Sequence, residues 1–238
     1  MNNNGKLYLI PVTLGEVNPL EVLPLSVKKA VENIGHYIVE NEKTARRFIK
    51  SINPGKQQSS LSFCLLNKFT DPTEVSSFLN PCLEGLDVGL MSEAGVPGIA
   101  DPGADVVAIA HKKGIQVKPL VGPSSIVLAM MSSGLNGQNF AFNGYLPIDR
   151  SQRKKKVKEL ELHSKKFNQA QAFIETPYRN SKLIEELLST LNPSTLLTVA
   201  CDLTLPSEYV KTQSVDQWKF NKNDFHKRPA IFIFQSLS

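Results

Sequence analysis

A short apolar run, Asp87-Val88-Gly89-Leu90-Met91, empties into the loop Ser92-Glu93-Ala94-Gly95-Val96-Pro97-Gly98-Ile99-Ala100-Asp101-Pro102-Gly103, and the chain leaves that loop in a helical pattern. A strand that enters a loop of glycines and prolines before a helix is the corner at the carboxyl edge of a parallel sheet, where open α/β sheets bind their ligands. Asp101-Pro102 reads as the helix's cap and first position, Val106, Val107, Ile109 and Ala110 as its apolar stripe, and Gly114 as its stop. Ala94, Gly95, Gly98 and Gly103 let a ligand approach the backbone closely, and Glu93 adds one charged acceptor. The same residues also suit a tight connection that binds nothing.

The alternation continues on both sides of this corner. Leu7–Ile10 reads as a first strand, stopped by Pro11; Ser26–Ile34 as an amphipathic helix closed by Gly35; His36–Val39 as a strand; Thr44–Ile49 as a short helix; and Leu61–Leu66 as a strand. Asp71-Pro72-Thr73-Glu74 has the form of a capped helix start, with Glu74 reaching back to the cap. Ile115–Val121 is strand-like, and after Gly122-Pro123 a helix runs from Ser124 to Ser133, ended by Gly134. Beyond it, Phe140–Tyr145, Ala172–Glu175, Leu196–Cys201, Tyr209–Thr212 and Ala230–Phe234 are strand-like, and only two helices, Asp149 to about His163 and Ser181–Leu191, intervene. Regular strand–helix alternation predicts a mainly parallel sheet, and fewer helices between strands predict a mixed one. The expectation is two α/β domains, 1–121 and 122–238.

Composition narrows the class. The chain has 238 residues, 41% of them hydrophobic and 21% charged, which suits a globular enzyme. No apolar run approaches the roughly 20 residues that cross a bilayer, and Met1-Asn2-Asn3-Asn4 lacks a signal peptide's basic and apolar regions, so a cytoplasmic location is expected. Cys64, Cys82 and Cys201 are far apart with no CxxC spacing; Cys64 and Cys201 lie in apolar runs and read as buried, reduced thiols. His36, His111, His163 and His226 lack metal-ligand spacing, and no metal is expected.

A net charge of +5 leans toward an anionic partner, and its distribution sharpens the point. Arg150, Arg153, Lys154, Lys155, Lys156 and Lys158 fall between positions 150 and 158, with Lys165 and Lys166 close behind. Such a run suits RNA phosphates, whose neutralisation releases counterions, and equally suits a solvated helix face. Phe167 and Tyr145 are the nearest rings for stacking on unpaired bases. Gly122, Pro123, Ser124 and Ser125 offer helix-start donors and two hydroxyls for polar ligand atoms, or a plain proline-initiated helix. Met130 and Met131 read as core. Glu175-Thr176-Pro177-Tyr178-Arg179-Asn180, after the strand Ala172–Ile174, sets an acid and a guanidinium around a ring at a strand end; the ordinary alternative is a helix start with Glu175 and Arg179 paired.

The corner Ser92–Gly103 also resembles the SDAGTPLISDPG-type loop of the ribosomal small-subunit (16S) cytidine 2′-O-methyltransferases, of the tetrapyrrole-methylase superfamily. Val117–Leu135 resembles that family's strand–GP–helix segment, Phe142–Pro147 with the basic run after it its next stretch, and Glu175–Arg179 its E-[ST]-[PT]-H-R segment, with Tyr178 where histidine is usual. Lys227-Arg228-Pro229-Ala230 aligns with a stretch that often reads K-G-E there. Pro11–Glu16 stands where the family has a TPIGNL-type turn, and Glu40–Arg46, beside Arg47, where it has E-D-T-R; both segments line the acceptor side in the family.

The resemblance implies a tetrapyrrole methylase-like fold with S-adenosylmethionine (SAM) in a cleft between the two domains, and a homodimer. It sets Leu90, Met91, Ser92, Glu93, Ala94, Gly95, Val96 and Ile99 around the cofactor, with Gly122, Pro123, Ser124, Ser125 and Tyr178 as a further border. Pro229 and Ala230 border it through their backbone alone. Glu175, Tyr178 and Arg179 would orient or polarise the acceptor, and tyrosine is a poorer base than histidine at neutral pH. Arg150, Arg153, Lys154, Lys155 and Lys156 would hold RNA. The activity so implied is SAM-dependent 2′-O-methylation of small-subunit ribosomal RNA. Methylation of a tetrapyrrole-like small molecule or a protein, and an eroded RNA- or ribosome-binding protein, are the alternatives.

Overall fold

The computed structural model describes residues 4–236, which form two compact units that meet between Ser124 and Ser125 in the sequence. The division falls just after Gly122-Pro123, where the alternation of strand and helix changes character.

The first unit is built on five parallel strands, β1 (Lys6–Leu9), β2 (His36–Val39), β3 (Ser62–Leu65), β4 (Val88–Met91) and β5 (Gln116–Pro119), in the order β3-β2-β4-β1-β5. Helices α1 (Pro19–Val22), α2 (Leu25–Asn33), α3 (Glu42–Ile52), α4 (Asn80–Leu83) and α5 (Ala104–Lys112) connect them. β4 is the middle strand and is buried along its whole length, as a parallel strand covered on both faces must be. Gly89 is closely packed there: a Cβ would lie 2.6 Å from Ile10 Cδ1 and 3.0 Å from the Tyr37 ring, so the Ile10 side chain would have to shift.

Four helix boundaries differ from those the sequence predicts. α2 ends with Ile34 in an extended conformation and runs straight into β2, so Gly35 makes no left-handed cap. Asp71 does accept from the N–H and hydroxyl of Thr73, but it closes a turn; the helix after it is a 3-10 segment from Val75 to Leu79, and Glu74 does not reach back. Before α5 the N-cap is Gly103, at φ 129°, and no side chain caps the helix; Asp101 lies close to Ser92 instead. α3 is also longer than predicted, because Asn41 caps it through the N–H groups of Lys43 and Thr44.

The second unit holds a mixed sheet, β6 (Phe140–Tyr145), β7 (Ala170–Ile174), β8 (Leu196–Cys201), β9 (Tyr209–Ser214) and β10 (Ala230–Gln235), in the order β6-β7-β10-β8-β9. Only β6 and β7 are parallel. β10, Ala-Ile-Phe-Ile-Phe-Gln, is central and wholly buried, and Phe232 and Phe234 pack against Phe173 of β7. Helices α6 (Ser125–Ser133), α7 (Arg150–Phe167), α8 (Asn180–Thr190) and α9 (Val215–Trp218) complete it. Met130 of α6 is core, but Met131 is 75% exposed, which corrects the sequence reading of that pair. Consecutive helix residues face about 100° apart, so an adjacent pair rarely shares one buried face.

Candidate functional site

The corner after β4 is fixed from below and from the side. Ile10 N–H donates to the Leu90 carbonyl and Val12 N–H to the Gly95 carbonyl at 2.8 Å, so the turn after β1 is bonded to the loop. Gly95 (φ 73°) sits so close to Leu14 and the Pro123 carbonyl that a Cβ would reach both at 3.1 Å. Ser92 is buried and Ala94 and Ile99 are exposed, while Gly98 (φ 78°) has open space where a side chain would be. Leu90 and Met91 are buried on opposite sides of β4, and only Met91 reaches the surface of the pocket described next.

That pocket measures about 490 Å³, within the range of small-molecule sites. Its walls are the turn after β1, one face of α3 and the residues Met91, Ser92 and Glu93. Leu14, Val17, Phe48 and Met91 give it an apolar lining, and Arg47 stands at its edge, 3.6 Å from Glu16. Glu93 Oε1 accepts from the Thr44 hydroxyl at 2.5 Å, and Glu40 Oε1 accepts from the Glu93 N–H at 3.3 Å. Burial, above all, raises the pKa values of Glu40 and Asp101, and each lies in the field of neighbouring acids. Three carboxyls therefore surround one glycine-rich loop, an environment that favours a cationic ligand.

In the second unit the segment after β7 meets the segment before β10. Arg179 donates to Glu175 Oε1 through Nη2 at 2.5 Å and through Nε at 2.9 Å, and Glu175 is almost wholly buried. Lys227 N–H donates to the Pro177 carbonyl at 2.9 Å, and the buried Asn180 donates to the Arg228 carbonyl at 2.6 Å. Tyr178 is 71% exposed. Pro229 has no N–H and its carbonyl accepts from Asp202 N–H; Ala230 is buried, paired in register with Cys201.

A relative from Leptospira borgpetersenii, ribosomal RNA small subunit methyltransferase I, is 33% identical over 209 residues, covering 86% of this chain and 78% of its own. This chain belongs to that methyltransferase family. The protein of the same name from Vibrio cholerae is 28% identical, covering 86% of this chain and 67% of its own. Among solved structures, that of the methyltransferase CobJ shares the fold, with a TM-score of 0.65 at 15% identity over 98% of this chain and 94% of that one. The architecture is thus that of the tetrapyrrole methylases, as the sequence predicts. No family model matches the chain.

Within this family framework the predicted residues fall into local groups. The first unit brings together Met91–Val96 and Gly122-Pro123, with Ser124 following and Ser125 opening α6. The second gathers Glu175, Tyr178 and Arg179 beside Lys227-Arg228-Pro229. The basic run divides. Arg150, Lys154, Lys155 and Lys158 are exposed on α7 and Lys156 is half-buried, but Arg153 is 6% exposed, bonded to Glu186 and to the Pro147 and Ile148 carbonyls. Arg153 is therefore withdrawn from any phosphate contact; its positive charge is used inside the unit. Cys82 and Cys201 are buried, their thiols pushed up to about 11 and about 12 by burial, while Cys64 is only half-buried.

Sequence reasoning passed over Phe48 and Ser51 as site residues and held Thr44 only within the Glu40–Arg46 segment, although their i, i+4, i+7 spacing sets the three on one face of α3. His226 was likewise left out, and Lys227 figured only as part of the Lys227–Ala230 stretch, because only the folded chain carries them to Tyr178: the rings of Tyr178 and His226 are 6.1 Å apart, and Lys227 Nζ lies 5.7 Å from the Tyr178 centroid.

Proposed function

We propose that this chain transfers a methyl group from SAM to a ribose 2′-hydroxyl of small-subunit ribosomal RNA. The observation that carries the reading is family membership along 86% of the chain, a span that includes the β4 corner. The residues at the corner fit the donor. Its sulfonium and ammonium charges match the Glu40, Glu93 and Asp101 carboxyls, and Gly98 leaves open space at the loop for close approach. We assign Met91–Val96, Gly122-Pro123 and the Ser124 and Ser125 hydroxyls to the donor, with Leu90 supporting from beneath.

When bound, SAM supplies an activated methyl on a sulfonium leaving group. The work left to this chain is alignment and exclusion of water. The pocket beside the corner receives the acceptor nucleotide, with Phe48 and Leu14 as apolar walls and Arg47 toward a phosphate. In the second unit, Glu175 and Arg179, locked to each other, and Tyr178 between them in sequence are assigned to contact with the RNA. The exposed cations of α7 supply the long-range attraction for RNA. A homodimer is part of the same reading, to be checked by sedimentation.

The experiment is methyl transfer from isotopically labelled SAM to small ribosomal subunits that lack the mark, with large subunits as control. Label in an alkali-resistant dinucleotide of the small-subunit RNA is the expected result, since a methylated 2′-oxygen cannot assist cleavage of its own phosphodiester. Label in a mononucleotide would move the reaction to a base, and label confined to a small molecule or protein would overturn the RNA assignment.

A further inference from the structure

We propose that Tyr178, His226 and Lys227 form a ledge that stacks one unpaired RNA base and holds an adjoining phosphate. The inference rests on the RNA reading above and adds to it a place where single-stranded RNA is gripped. Tyr178 is 71% exposed although it sits on a rigid turn, the 3-10 segment Pro177–Arg179. An exposed ring on a fixed backbone loses little freedom when a base stacks on it.

The neighbours of the ring are held just as firmly. Lys227 has φ 60°, in the left-handed region that non-glycine residues seldom adopt, and its N–H is bonded to the Pro177 carbonyl. Asp224 accepts from the N–H of His226 at 2.9 Å and from the Ser181 hydroxyl, which closes the turn. Asn180, fully buried, bonds the carbonyls of Phe225 and Arg228, and Arg228 is paired with Asp202 at 2.8 Å. These bonds maintain a backbone conformation that places the imidazole edge-on to the phenol, at 79°, and the ammonium over it.

The chemistry of the group selects the occupant. Among the described residues the Lys227 ammonium makes no ion pair, and it lies 5.7 Å from the Tyr178 centroid. An aromatic face, a free cation and a second ring are the components with which proteins grip unpaired nucleotides, stacking the base and neutralising its phosphate. A duplex offers no free base face and gains nothing from such a ledge.

The test is binding of a fluorescent single-stranded oligoribonucleotide, and of the same strand in a duplex, by the full chain without a methyl donor. Tyr178→Ala is expected to weaken single-strand binding by about 5- to 150-fold, the range for loss of one stacked base, and Tyr178→Phe, which keeps the ring, by much less. Lys227→Gln is expected to lower the slope of log affinity against log salt by about 0.7 for one lost phosphate contact. Circular dichroism establishes that each variant is folded. Unchanged binding by Y178A, or a duplex bound as tightly as the strand, would overturn the ledge. Capture of an acidic peptide in place of RNA, with the same loss in Y178A, would overturn the choice of RNA. Because no methyl donor is present, these outcomes are separate from the labelling of small subunits by the wild-type chain.

Discussion

Arg153 of α7 holds Glu186 of α8 with two hydrogen bonds, Nε to Oε2 at 2.7 Å and Nη2 to Oε1 at 2.9 Å, and both side chains are nearly buried. Removing one partner of such a pair leaves a buried charge uncompensated, so Arg153→Met is expected to cost about 3 kcal/mol. Arg153, foremost through its hydrogen bonds, holds the Glu186 carboxyl below its ordinary value. A carboxyl made more acidic by folding adds stability at pH values above its unfolded pKa, and that stability is lost as the pH falls through the folded pKa. Urea titrations at pH 7 and across the acid range check both points: R153M should lose stability at pH 7, and Glu186→Gln should flatten the acid limb.

The lysines on the other side of the same helix behave differently. Lys154, Lys155 and Lys158 are exposed, and changing all three to alanine is expected to leave the unfolding free energy within about 0.5 kcal/mol per site. If α7 meets RNA, the triple variant should lower the salt slope of RNA binding by up to about 2 to 3, with the affinity loss largest at low salt. An unchanged slope would make α7 an ordinary solvated face.

The contrast between Arg153 and its neighbours marks what the sequence reveals and what it hides. Strand–helix alternation and the proline-glycine loop are local signals, and they foretell the parallel sheet, the mixed sheet and the β4 corner. A guanidinium that turns inward obeys a partner thirty-three positions away, Glu186, and nothing in a basic run announces which member will turn. The same holds for Asp101, which leaves the cap position to Gly103, and for His226 and Lys227, which reach Tyr178 only through the fold. Motifs carried by consecutive residues are legible; contacts made across the sheet are not.

The carboxyls at the β4 corner set stability against binding. Glu40 and Asp101 are raised, first by burial and then by neighbouring acids. A raised carboxyl contributes its full stability below the unfolded pKa and loses it as the pH climbs through the folded one, so at neutral pH both groups are a cost to the fold. Glu40→Gln and Asp101→Asn are each expected to raise the melting temperature at pH 7 and to weaken SAM. Wild-type affinity for this cationic donor should fall as the pH drops from neutral through the raised values. Calorimetry and thermal melts measured together decide it; a variant that gains stability and keeps full affinity would remove that carboxyl from the donor site.

Gly122 tests how the corner is built. A Cβ there would lie 2.2 Å from Pro11 Cβ, and Pro11 precedes Val12, whose N–H is bonded to the Gly95 carbonyl. Gly122→Ala must push the turn after β1 away from the donor loop, at a cost of about 1 to 3 kcal/mol from overpacking. Gly134, at φ 70°, has nothing within 4 Å of where its Cβ would stand, so Gly134→Ala costs only the left-handed conformation, about 1 kcal/mol. The two variants separate strain at the corner from strain elsewhere: G122A should lose SAM affinity beyond what its lower stability explains, whereas G134A should lose stability alone. Equal affinities in the two would mean that the contact between Pro11 and Gly122 supports the fold without shaping the donor site.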